Sequence, residues 1–369
     1  AAREFGRAQD LDPTFGTATR KATSAHRARQ QAWRREQTVP PLDDGAVFEA
    51  HESDGDVTGL DERIRRAGAG SGEATVASGP LANRRQQVLQ VYRAFGEKVQ
   101  DVLGPGVVLV ETNHFLIWTD WGQRRRDKLA EWCEATYAAL VGHFGLDPEE
   151  DVFLAKCPVF CWTSAARFRK FARQFDGYDG KNAVGYTRSI QENGHVHVVL
   201  LRQGHEEKDF DRFASTLVHE ATHAFLHRLY STRLIPHWIN EGYADMIAER
   251  VLVDRCPNAE NAELLARQFV RYGWPIGELL LSTGPIEVQQ YPIAHSTVGF
   301  LSSLDERALA GVIRALKAGS NVPEALVAEF DGLTLDALES RWRAAVRERD
   351  ASWHAAQREA AALPWATGR

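Results

Sequence analysis

The stretch that most constrains this chain runs from His219 to Asp245. It opens with His219-Glu220-Ala221-Thr222-His223 and closes with Trp238-Ile239-Asn240-Glu241-Gly242-Tyr243-Ala244-Asp245. In an α-helix, residues four apart lie about 6 Å along the axis and about 40° around it, so His219 and His223 leave one face at a spacing that one ion can bridge. Zinc takes imidazole nitrogen readily, and a catalytic zinc needs three protein ligands and a position left open for water. Glu220 stands beside the pair. An unperturbed glutamate, with a pKa of about 4.3, is ionised at neutral pH and can serve as a general base. By itself the three-letter pattern recurs by chance at roughly the few-per-cent level in a chain this long, so its surroundings decide what it means.

Three residues compete for the third ligand position. His227 continues the four-residue spacing, but two turns up a straight helix it stands roughly 12 Å along the axis from His219 and cannot close the site. A third histidine six residues after the second is ruled out, because that position holds Leu229 and no glycine breaks the helix. His237 lies in the connection beside Pro236 and is within reach, although a loop histidine next to a tryptophan is more often a packing residue. Glu241 is better placed, eighteen positions after His223, in the first turn of a helix amphipathic through Ala244, Ile247 and Ala248, with Pro236 to reverse the chain. Two antiparallel helices then present His219 and His223 from one side and Glu241 from the other. Asp245, one turn on, shares the face of Glu241 and can accept the free N–H of a ligand histidine, which fixes the tautomer.

The 369 residues favour two domains over one or three and can bury a sizeable core. A net charge of -6 and a pI near 6.1 give no general reason to bind nucleic acid or an anionic membrane. The densest basic run, Arg124-Arg125-Arg126, reads as a solvated helix start. No stretch approaches the roughly 18 apolar residues that a membrane-spanning helix requires. The four cysteines set no framework: Cys157 and Cys161 fall in a strand that holds them about 13 Å apart, too far for a disulfide. Cys133 reads as a buried small hydrophobe. A bond from Cys133 or Cys256 to a strand cysteine stays open, and with it the compartment. The chain opens on Ala1 rather than Met, and an extracytoplasmic location, with a signal peptide removed before Ala1, is expected over a cytoplasmic one.

Along the chain, residues 1–38 read as a helical segment, with Ala1, Phe5, Ala8 and Pro13 at the spacing of the second helix of a tetratricopeptide repeat. A half-repeat cannot bury its own face by stacking, so it implies either further repeats upstream, able to hold a protein partner, or packing on its own chain. Residues 39–80 are acidic and then Gly/Ser-rich, a linker. The rest, 81–369, divides into an αβ part over 81–230 and a helical part over 231–369. The first predicts a helix over 83–103, strands over 107–111 and 115–119, and a helix striped by Leu129, Trp132, Cys133, Thr136, Leu140 and Phe144. There follow a strand over 152–162, a helix through Phe168, Phe171, Ala172 and Phe175, and strands over 183–187 and 195–201. Everything after Asp209 predicts helix. The fold class is therefore α+β, a small mixed sheet with helices followed by an all-helical half, with the histidine motif at the junction.

With both motifs in view, His-Glu-Ala-Thr-His and then Pro236-His237-Trp238-Ile239-Asn240-Glu241-Gly242-Tyr243-Ala244-Asp245, the chain resembles the gluzincin metallopeptidases, most closely the bacterial peptidase-MA-like group. Weaker likenesses, such as Asn113-His114-Phe115 before a strand, Tyr291 with Phe300-Leu301, and Leu335 to Trp342, extend it over about residues 103–348. The resemblance implies a zincin-like fold and one catalytic Zn2+ held by His219, His223 and Glu241, with Glu220 as base and proton shuttle and a peptide or protein as substrate. It also implies that the strand over 195–201 is the sheet edge on which an extended peptide is laid. His195 and His197 share one face of that strand and read as solvent-facing residues. Gluzincins commonly stabilise the oxyanion with a Tyr or His from the helical half. Tyr291, just before a helix-starting Pro292, is the leading candidate, with His295 and then Tyr243 behind it. The competing expectation is a non-catalytic zinc-containing interaction module; the presence of Glu220 counts against it, since a structural site needs no base.

Overall fold

The computed structural model describes residues 80–362, apart from 148–150, 154, 182, 191–193, 205 and 254–258. The segment expected over 1–38, Cys256 and all but the last residue of the expected linker lie outside the described residues. The first half contains α1 (Pro80–Leu103), β1 (Val108–Glu111), β2 (Phe115–Thr119), α2 (Gln123–Phe144), β3 (Cys157–Trp162), α3 (Ala165–Phe175), β4 (Gly185–Ile190), β5 (His195–Leu201) and α4 (Glu207–Arg228). The second contains α5 (His237–Leu252), α6 (Ala259–Arg271), α7 (Gly277–Leu281), α8 (Tyr291–Leu304), α9 (Glu306–Ala318), α10 (Val322–Glu329) and α11 (Leu335–Ala362). The fold is α+β, and the helix that carries both histidines stands at the junction.

The five strands form one mixed sheet in the order β1-β2-β3-β5-β4. The inner trio β2, β3 and β5 is parallel, and the edge strands β1 and β4 each run antiparallel to their neighbour. Every residue of the inner strands is buried, as expected when helices cover both faces. Alternation sorts their side chains. Leu116, Trp118, Phe160, Trp162, Val199 and Leu201 pack beneath α1 and α3, whose Tyr92, Phe95, Phe168, Phe171 and Phe175 complete an aromatic layer. Phe115, Ile117, Cys157, Val159, Cys161, Val196, Val198 and Leu200 face the other way, into a core shared with α2, α4 and the helical half.

The helices follow their apolar spacing. In α2 all six residues of the expected stripe are buried, and the helix stops at Gly145, whose φ of 61° is left-handed. Ser164 caps α3 by accepting from the Arg167 N–H at 3.3 Å. Strand limits depart from expectation where pairing sets them. The strand expected over 152–162 begins only at Cys157, because its partner β2 begins at Phe115, directly opposite. The strand expected over 183–187 is displaced to Gly185–Ile190, in antiparallel register with β5 from Gly185 opposite Leu200 to Ile190 opposite His195.

Two expectations fail for a single topological reason. β5 is not the sheet edge: it lies between β3 and β4, and β4 is the edge. His195 and His197 are consequently not solvent-facing. They are 2% and 3% exposed, under the aromatic layer of α1 and α3. Cys133, Cys157 and Cys161 are free and buried, and burial pushes each thiol pKa up, as for inert core cysteines. Among the described residues no helix is long and apolar enough to cross a membrane.

Candidate metal centre and cleft

A reciprocal pair starts α4: the Glu206 side chain caps the first turn, and Asp209 accepts from the Glu206 N–H at 3.0 Å. The helix buries Leu217, Val218, Ala221, Ala224 and Phe225 in the core, which leaves His219, Glu220, His223 and His227 lining a cleft. After Arg228 the chain leaves the helix through Leu229, in extended backbone, and Tyr230, whose φ of 61° is left-handed. It re-enters helix after Pro236. In α5, Trp238, Ile239 and Tyr243 are fully buried, so the intervening Asn240 and Glu241 face the cleft.

This places His219, His223 and Glu241 around a common point, with one donor atom of each within 4.8 Å of the others. The two Nε2 atoms are 3.0 Å apart, and the Glu241 carboxylate lies 3.2 Å from His219 Nε2 and 3.5 Å from His223 Nε2. Asp245 Oδ1 sits 2.8 Å from His219 Nδ1. Glu241 contacts both histidines while Asp245, further along α5, contacts the earlier one, so the two helices run antiparallel. A carboxylate only accepts, so Nδ1 of His219 carries a proton, and its Nε2 is turned toward the common point. Burial pulls the His219 pKa down, but its hydrogen bonds to Asp245 and Glu241 win and raise it well above the usual value. Burial acts the opposite way on Glu241, and the two histidines overcome it and hold its carboxyl far below the usual range. The common point is thus a place where positive charge is stabilised, and the three side chains form a group that could hold a metal ion there.

Glu220 is held from the sheet. The Thr187 hydroxyl on β4 lies 2.8 Å from both Glu220 Oε2 and the Glu220 carbonyl, and its single proton serves one at a time. Two residues earlier, Gly185 leaves room for this contact. A Cβ there would stand 2.6 Å from Thr216 Cγ2 and 3.3 Å from Glu220 Cγ. A second glycine sets the other wall. A Cβ on Gly242 would collide with the Ala294 carbonyl and stand 2.9 Å from Val298 Cγ2, so only glycine allows α8 to lie this close to α5. That approach brings Tyr291, at the start of α8, into the cleft. Burial, followed by the charges of Glu241, Asp245 and Glu220, pushes the Tyr291 pKa up, which keeps its phenol protonated and a donor.

The other sequence candidates go elsewhere. His295, one turn beyond Tyr291, pairs with Glu249 at 3.0 Å, facing away from the cluster of His219, His223 and Glu241. Tyr243 is buried in the core among His143 and Phe144. His237 is half-buried with Nε2 3.6 Å from Glu241 Oε1, at the margin of the site. His227 lines the cleft beyond His223 without joining the cluster. Thr187, Gly185 and the packing role of Gly242 escaped the sequence reading. Gly242 lay inside the quoted motif, whereas Thr187 carries no local signal because its partner is 33 residues away.

The resulting cleft has a volume of about 440 Å³ and is walled by β4, α4, α5, the start of α8 and the end of α9. It combines a cluster able to hold a cation, a carboxylate beside it, a phenol opposite, and the sheet edge along one side. Neither the protein-family models nor the curated proteins include a match to this chain, so the case for its family rests on the two motifs and the arrangement described above.

Proposed function

We propose that the chain is a zinc-dependent peptidase of gluzincin type. The observation that carries this reading is the convergence of His219, His223 and Glu241 with Glu220 lining the same cleft. The donor set fits zinc: two imidazole nitrogens and a carboxylate, with the His219 tautomer fixed by Asp245 and the cleft side left open. Zinc held there supplies the Lewis acidity that activates water and polarises a carbonyl. Glu220, held by Thr187, takes the proton from the attacking water and returns it to the departing amine. Tyr291 donates its phenolic proton toward the oxyanion. An extended peptide is accommodated along β4, the edge strand, whose outer backbone groups have no partner strand among the described residues.

Glu220→Gln tests this directly. Zinc content by metal analysis is expected to stay at one per chain while hydrolysis of a peptide library falls by about 10²- to 10⁴-fold or more, the usual contribution of a general base. Zinc-loaded wild type that cleaves no peptide would replace this reading with a non-catalytic zinc module.

A further inference from the structure

The two ends of the cleft differ in chemistry. Glu220 and Glu241 stand at the metal end; at the other, Lys317 from α9, Arg233 from the α4–α5 connection, and His227 line the wall. Lys317 is only 4% exposed. Its ammonium donates to the carbonyls of Arg233 at 2.8 Å and His227 at 3.3 Å, which leaves one of its three N–H groups. Burial, reinforced by Arg228, lowers its pKa to about 8, and no carboxylate among the described residues offsets them. It is still mostly charged at neutral pH. His227 is 5% exposed, and neither ring nitrogen has a hydrogen-bond partner; the Ile190 carbonyl that its ring approaches is outside good geometry.

Buried polar groups in folded proteins are nearly always satisfied, and a buried ammonium is ordinarily paired with an acid. Tying α9 to the connection accounts for two of the Lys317 protons. It does not account for the buried His227 ring, and the exposed Arg233 guanidinium stands at the same wall. A carboxylate suits the donors that line this wall: the remaining Lys317 proton, an imidazole N–H of His227, and the Arg233 guanidinium, whose planar fork matches a carboxylate in two-point contact.

We propose that this end of the cleft is a subsite for a carboxylate of the peptide, carried either on an acidic side chain or as a free C-terminus. The inference rests on the peptidase reading of the cleft. His227 lies one helical turn beyond His223, about 6 Å along α4, and an extended peptide advances about 3.3 Å per residue. The carboxylate therefore belongs within about two residues of the scissile bond.

The test uses fluorescence-quenched alanine-based peptides with Glu or Gln at each of the two positions on either side of the cleaved bond, each with a free or an amidated C-terminus. The charged member of a pair is expected to be favoured in kcat/KM by roughly ten- to hundredfold, as for hydrogen bonds to a charged group. Arg233→Gln, on an exposed segment, is expected to collapse that ratio, and Lys317→Met to do the same if it folds. Dependence on Glu over Gln assigns the subsite to a side chain; dependence on amidation assigns it to a terminus. Equal cleavage of all members, or a ratio unmoved by Arg233→Gln, overturns the subsite and leaves the peptidase standing. The second arm measures anisotropy of fluorescein-labelled versions of these peptides on the Glu220→Gln chain. If wild type cleaves nothing, the peptidase reading fails, and this arm decides the subsite alone: preferential binding of the charged peptides supports it and equal binding overturns it.

Discussion

Among the described residues, two histidine pairs, each bonded to an aspartate, have opposite fates. On β5, His195 Nε2 lies 2.8 Å from His197 Nδ1, and His197 Nε2 lies 3.0 Å from Asp176 Oδ2, which also accepts from the Tyr186 hydroxyl at 2.6 Å. On α4, His219 and His223 turn Nε2 atoms toward each other and toward Glu241, and Asp245 takes the outer proton of His219. The strand pair is a closed relay: each proton has a definite acceptor, and no pair of lone pairs converges. The helix pair converges with Glu241 on one point, where positive charge is stabilised, and one side is left open. Residue type does not separate the two, since both are His, His and Asp. Strand spacing puts the rings side by side beneath a covered face, whereas helix spacing stacks them along a cleft wall with a third base opposite.

The largest expected effect breaks this comparison outright. His219→Ala or Glu241→Ala is expected to lose stoichiometric zinc, while His197→Ala keeps its zinc and loses stability instead, on the order of 1–3 kcal/mol for a buried partner left unsatisfied. Metal analysis paired with denaturant titration reads both; zinc retained by His219→Ala, or lost by His197→Ala, would sink the distinction. Next is the aspartate. Asp245→Asn is expected to weaken zinc by about 10- to 100-fold in chelator competition, the usual effect of removing a partner behind a ligand histidine. An affinity that does not change would mean that Asp245 serves packing alone.

The smallest effect sharpens the comparison through pH. Burial first, then His197 and Arg188, hold the His195 pKa well below its usual value. Between that folded value and an unfolded value of about 6.5, the unfolded chain binds a proton that the folded chain refuses. Stability is therefore full above about pH 6.5 and is lost as pH falls toward the folded value. Burial lowers His143 and His227 to about 4, which gives the same sign. Melting temperatures from pH 7.5 down to 5 are expected to fall for wild type and to fall less steeply for His195→Asn; parallel curves would contradict the assignment.

What could be read without coordinates is what depends on near neighbours along the chain. The stripes of α2 and α3, the α+β order, and the pairing of His219 with His223 all follow from a 3.6-residue period acting within a few turns. Glu241 and Asp245 were also within reach, because the spacing between them matches the spacing of the histidines on an antiparallel helix. The alternation of His195 and His197 onto one face was equally visible; which surface would cover that face was not. Strand order is set by pairings between distant segments, and nothing local states that β4 closes the edge outside β5. The same limit hid Thr187, whose meaning comes only from Glu220 across the cleft, and the basic wall of Lys317, Arg233 and His227, assembled from three elements. The sequence by itself determined the ligand spacing, because helical periodicity is local. Only the tertiary structure decided which histidines were buried, which strand was the edge and what faced Glu220, because those depend on which surfaces meet.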